Sequence, residues 1–169
     1  FNRIQGYKND GTTLTPSAWD GTNDNTYTNW DPAKDPCALL LGTGWRLPTS
    51  TEWSNASATS NWLSDTDAYN SVLKLHDAGY LSSSFGTLTS RGSEGYYWSS
   101  TQTASSSGWL LHFDISYSSL YNRAKANGYS GRCLAAPSIV LPFFASSVSK
   151  IGGASVTIVS SGDATNNVW

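Results

Sequence analysis

Between residues 95 and 134 the chain repeats one device: a glycine, then a short run of aromatic and aliphatic residues. "GYYWSST" (95–101), "GWLLHFDI" (108–115) and "GYSGRCL" (128–134) each follow Gly-rich punctuation. Alternation at period two over such lengths reads as short strands. "VLKLHDAGYL" (72–81) alternates too, with Val72, Lys74 and His76 against Leu73 and Leu75, so a further strand is expected there. Long helical periodicity is missing. A capping box of Thr49 and Glu52 starts one helix at about Ser50, running to about Ala58 with Trp53 and Ala56 on one face. Pro48 disfavours helical geometry at Leu47. A weaker helix is expected over Asp65 to Val72. Strands following one or two early helices, with Ser/Gly-rich connections, give an α+β domain around a small antiparallel sheet.

Composition narrows the function classes. The 169 residues allow one ordinary domain with part of another. Charged and aromatic residues each make up 13%, with eight Trp, nine Tyr and no Met, unlike an average cytosolic helical protein. Net charge is −2 and the Lys and Arg residues are scattered, so no nucleic-acid partner is expected. No apolar run approaches the roughly 20 residues of a membrane span. The opening "FNRIQGYKNDG" reads as the interior of a longer polypeptide.

The phrases "DPCALLLGTGWRLPTSTEW", "LKLHDAGYL", "GTLTSRGSEGYYWSSTQ", "GWLLHFD" and "GYSGRCL" occur in this order. The series resembles the bacterial extracellular family known as the Fibrobacter succinogenes major paralogous domain. That family is related to the C-terminal domain of a Legionella collagen-like adhesin. The resemblance covers about residues 1 to 134 and implies a C-type-lectin-like domain over 1–136. Members carry another strand and helix ahead of a phrase like "FNRIQGYKNDGTT", so the domain is expected to lack its N-terminal strand and helix. The resemblance makes Trp45 and Leu47 core residues and has Trp53 fix the helix to the sheet. It has Arg46 reach a carboxylate or loop carbonyls. It also pairs the only two cysteines, Cys37 and Cys133, in a disulfide, as their even count in an apparently extracellular chain allows.

Catalytic residues are not expected. His76 and His112 are the only histidines, each placed in an alternating run beside core positions. "LHFD" puts His112 and Asp114 on one strand face, but no Ser in a nucleophile-elbow setting accompanies them. "WDGTNDN" (19–25) and "WDPAKD" (30–35) lack the EF-hand spacing. Their Asp and Asn residues read as turn formers, with calcium the alternative. No cofactor is expected.

The stretch 99–123, "SSTQTASSSGWLLHFDISYSSLYNR", mixes Ser with Tyr, Trp and Asn. Antibody paratopes use this mixture, because Tyr and Trp give contact area at low entropic cost while Ser and Asn adapt their hydrogen bonds. Gln102, Ser106, Trp109, Tyr117, Tyr121, Asn122 and Arg123 are therefore the expected ligand-binding residues. They are expected to border one exposed face made by the loops 101–108 and 115–125. If 116–121 is extended, Tyr117, Ser119 and Tyr121 share one side, and Ser118 and Leu120 the other.

Residues 137–169 open with a Pro-punctuated linker, and "GGASVTIVSSGDATNNVW" weakly resembles the start of an IPT/TIG immunoglobulin-like repeat. Two functions follow as expectations. One is an adhesin-type module of a bacterial cell-surface protein that binds a glycan or a protein. The other is a subunit of an extracellular filament, self-associating through exchanged terminal strands.

Overall fold

The computed structural model describes residues 19–23 and 25–135. It divides the chain into two compact units, Phe1–Ser138 and Ile139–Trp169. The second unit, and with it the expected immunoglobulin-like start, lies outside the described residues, as does "FNRIQGYKNDGTT". The first unit mixes helices and antiparallel sheets, an α+β arrangement in which strands dominate.

Three helices come first. Helix α1 (Pro36–Leu41) is capped by Asp35, whose carboxylate accepts the Cys37 N–H at 2.8 Å. The same carboxylate accepts the Leu47 N–H at 2.9 Å, tying the helix to the two-residue strand β1 (Trp45–Arg46). Helix α2 (Ser50–Thr59) begins at the Thr49–Glu52 capping box, with both reciprocal bonds present. Helix α3 (Asp65–Asn70) is capped by Ser64.

Strands β2 (Tyr80–Leu81) and β3 (Leu88–Thr89) form a small ribbon. The main sheet has the order β4-β5-β6, from β4 (Glu94–Ala104), β5 (Ser107–Asp114) and β6 (Ser118–Ala124). Strand β7 (Leu134–Ala135) returns to pair with β1.

Pairing register assigns the two faces of the main sheet. Tyr97 stands opposite Leu111, which stands opposite Leu120. With Phe113 they meet Trp53, Trp62, Ala68 and Leu75 from the helical side. The Trp53 indole is 1% exposed and donates to the Trp98 carbonyl at 3.1 Å, locking α2 to β4. On the reverse face Tyr96, Trp98 and Leu110 pack with Cys37, Leu47, Trp30, Tyr80, Tyr129 and Cys133. There Cys37 and Cys133 form the disulfide.

Two expectations need correction. Residues 72–79 are not a strand: Lys74 has a left-handed φ of 49°, and His76 is exposed. Leu73 and Leu75 do pack inward, but from a turn rather than a pleat. Trp45 is 38% exposed while Leu47 is fully buried, because a two-residue strand has little sheet around it to bury a large ring. Arg46 meets its carboxylate, a two-pronged pair with Glu52 at 2.6 and 2.7 Å.

Candidate functional site

The β5–β6 turn is built by Asp114. Its Oδ1 accepts the Ser116 and Tyr117 N–H groups at 2.7 and 3.0 Å and the Ser116 hydroxyl at 2.8 Å. That fold of the chain delivers Tyr117 onto the disulfide-side face of the sheet, where its hydroxyl lies 2.8 Å from His112 Nδ1. His112 is 4% exposed. It stacks on Tyr96 at 4.2 Å, nearly parallel, and meets the rings of Tyr117 and Tyr121 edge-on. Tyr96 in turn stacks on Tyr129, and both touch Tyr80. The result is a continuous aromatic layer with one imidazole at its centre.

Electrostatics keep that centre neutral. Burial pushes the His112 pKa down from its ordinary value, against the pull of Glu94, whose carboxylate is 3.8 Å from Nε2. The Tyr96 hydroxyl bonds the same Glu94 carboxylate. Burial first, and then this carboxylate, raise the phenol far above its usual range. Burial also lifts Tyr129 to about 12. At neutral pH such groups stay un-ionised and hold hydrogen bonds and ring contacts.

Toward solvent the layer ends in Tyr121, 37% exposed, with the Arg123 guanidinium 5.0 Å from its ring centroid. Tyr117 and Tyr121 lie 6.0 Å apart, centroid to centroid. An exposed ring, a guanidinium and the exposed Ser119 between them offer stacking area and donors on one surface.

The seven expected site residues divide into groups. Tyr117, Tyr121 and Arg123 come together as described. Trp109 and Asn122 face each other across β5 and β6 on the helical side of the sheet, so they do not share that surface. Gln102 stands opposite Gly108, which stands opposite Arg123, so Gln102 and Ser106 lie by the β4–β5 turn, at the Arg123 end of the sheet and away from Tyr117. The expected single face is thus corrected for Trp109 and Asn122. An eight-residue strand separates its two hairpin turns by about 25 Å, so Gln102 and Ser106 meet the 123–125 end of the second segment and not its Tyr117 turn.

Gln102 and Ser106 instead hold a buried lysine. Lys125, 1% exposed, donates its Nζ to Gln102 Oε1 at 2.9 Å and to the Thr26 carbonyl at 2.8 Å. Its backbone N–H donates to the Ser106 carbonyl at 2.9 Å. Nearby, Thr26, Thr28, Asn29, Trp30, Asp31, Pro32 and Lys34 line an open groove of about 480 Å³.

Sequence reading overlooked His112, Tyr96 and Tyr129 as members of the aromatic layer. The signal for His112 was its period-two relation to Leu110, which put it on the face that Tyr121 shares across the hairpin. Tyr129 had no local signal. His112 and Asp114 do share a strand face, but Asp114 serves the turn and His112 bonds Tyr117. Among the described residues no group of three or more His, Cys, Asp or Glu side chains could hold a metal ion.

Residues 55–134 match the family model described as Domain of unknown function (DUF8237). The matched span runs from α2 through β4, β5 and β6 to the start of β7. No curated protein and no solved structure matches the chain.

Proposed function

We propose that this chain is a ligand-recognition module of a secreted or cell-surface protein, with a C-type-lectin-like domain as its scaffold. The five sequence phrases support the scaffold. A disulfide tying the segment before β1 to the start of the last strand fits an oxidising compartment, and no helix among the described residues is long and apolar enough to cross a membrane. The observation that carries the reading is the end of the aromatic layer: Tyr121 exposed, Arg123 against its ring, Tyr117 beside it. A rigid ring backed by buried rings loses little entropy on binding, which is the property a recognition surface needs. Sugar rings present C–H faces to such a platform and hydroxyls to Ser119 and Arg123, so a glycan is the preferred ligand class.

The test is a glycan array run beside a panel of surface proteins, with wild type, Tyr121→Ala and Arg123→Ala. A glycan bound by wild type is expected to lose about tenfold or more in affinity with Tyr121→Ala, at nearly unchanged melting temperature. Equal binding by both variants moves the site elsewhere. Binding to a protein only would reassign the ligand class.

A further inference from the structure

The two outer edges of the main sheet are finished differently. Along β4 the outward backbone groups are taken by loops. Glu94 C=O accepts the Gly79 N–H, Tyr96 C=O the Ser130 N–H, and Ser100 C=O the Trp30 N–H, all at 2.8–3.0 Å. Trp98 N–H donates to Ser130 C=O and Ser100 N–H to Pro48 C=O. Among the described residues strand β6 has no such cover. Its phase is fixed by two bonds to the β5 side, Asp114 N–H to Tyr117 C=O and Lys125 N–H to Ser106 C=O, each 2.9 Å. With the observed register, Ser119, Tyr121 and Arg123 therefore turn their backbone groups toward β5, and Ser118, Leu120 and Asn122 turn theirs outward. Among the described residues no backbone group answers these three N–H groups. The strand holds neither proline nor lysine, the usual blunting devices.

We propose that the β6 edge pairs with β6 of a second copy of this chain, antiparallel about a two-fold axis at Leu120. The pairing is made by backbone groups at the edge, and it also brings the Tyr117 and Arg123 side chains of the aromatic face beside those of the partner.

Complementarity of the strand with itself selects that partner and that register. Centred on Leu120, the pairing sets leucine against leucine and Ser118 against the partner's Asn122. Shifting the centre to Ser119 or Tyr121 would oppose Leu120 to Ser118 or Asn122, an apolar group against a polar one. On the aromatic face Tyr117 stands opposite the partner's Arg123, a cation–π match, and no like charges meet. A second observation points the same way. The Ser118 hydroxyl is buried without a hydrogen-bond partner, and buried polar groups normally have one. A turn about the Ser118 χ1 would bring the hydroxyl out to a cross-strand Asn amide, with Cβ atoms about 5 Å apart. Three backbone pairs exchanging two bonds each give about six hydrogen bonds. The joined sheet would run β4-β5-β6-β6-β5-β4 and end on two covered edges.

The experiment is sedimentation of the full chain across concentrations, with amide hydrogen exchange read residue by residue. A monomer–dimer equilibrium is expected. Protection at Ser118, Leu120 and Asn122 should rise with concentration, while Ser119, Tyr121 and Arg123 stay protected throughout. Asn122→Pro removes an outward N–H and no bond to β5, so it should fold and shift the equilibrium at least about tenfold toward monomer. If it does not fold, the alternating exchange pattern of wild type still decides. A monomer at every concentration overturns the pairing, as does a dimer whose edge amides exchange freely or that survives Asn122→Pro.

Discussion

The two faces of the β4-β5-β6 sheet are both buried, yet they are held by different means. The helical face gathers Trp53, Trp62, Ala68, Leu75, Tyr97, Leu111 and Phe113, most of them from regular elements with clear local signals. Of its polar tips, the Tyr97 hydroxyl is satisfied by the His76 backbone at 2.9 and 3.1 Å and the Trp53 indole by the Trp98 carbonyl, while the Trp62 indole N–H is buried without a hydrogen-bond partner. The disulfide face is covered by segments far apart in sequence: Trp30, Cys37, Leu47, Tyr80, Tyr129 and Cys133. Irregular segments bury less apolar area per ordered residue, so a covalent link and polar bonds must offset more of their ordering entropy. The same face carries the imidazole, Glu94 and the exposed tyrosines. A dry face fixes the scaffold; a looped face leaves room for a surface that can recognise something.

The largest expected effect is on the disulfide face. Cys37 and Cys133 are separated by 96 residues, and a loop of that length gives about 4–5 kcal/mol on the chain-entropy model. The double Cys37→Ser/Cys133→Ser variant should lose most of that in urea unfolding. Its amides at Trp98 and Ser130 should exchange faster than those in α2. Equal loosening of both faces would contradict the division.

Trp53→Ala tests the helical face and should cost about 3–5 kcal/mol, through a cavity and through the Trp98 carbonyl left without its indole donor. A loss near 1 kcal/mol would show that the helices can collapse onto the space. The native disulfide should survive this substitution, which free-thiol labelling can check.

The smallest effect is pH dependence, and the faces differ in it. His112 has a folded pKa below its ordinary 6.5, so the folded state binds fewer protons than the unfolded chain below that pH. Stability is then complete above about pH 6.5 and falls as pH drops toward the lowered value. His112→Leu should flatten this slope. Glu52 is held at about 2 by the Arg46 guanidinium, from an ordinary 4.5. Its contribution is present above pH 4.5 and is lost as pH falls toward 2. Both partners are more than a third exposed, so solvent screening limits that contribution to about 1 kcal/mol. Thermal melts from pH 8 to 3 should show the His112 step first and the Glu52 step, removed by Glu52→Gln, at lower pH.

Local chemistry made a good part of this visible in sequence. Thr49 and Glu52 set the start of α2, because a capping box satisfies its own N–H groups and needs no distant partner. Period two set the alternation of β6, with Tyr117, Ser119 and Tyr121 on one side and Leu120 on the other. Asp35-Pro36 held the signal for α1, a capping carboxylate followed by a proline at the first helical position, and it was overlooked.

What the tertiary structure decided was everything that depends on register and partner. It made residues 72–79 a short turn followed by irregular chain, since alternation without a neighbouring strand to pair with does not make a strand. It left Trp45 half exposed on a two-residue strand, and placed Tyr129 on Tyr96. It also put Gln102 and Tyr117 at opposite ends of β5. Sequence by itself determined which side chains alternate, where α2 begins and that two cysteines were available. Which of those side chains share a surface was set by hairpin pairing and long-range packing, because a period of two fixes only that neighbours point apart, not what each face meets.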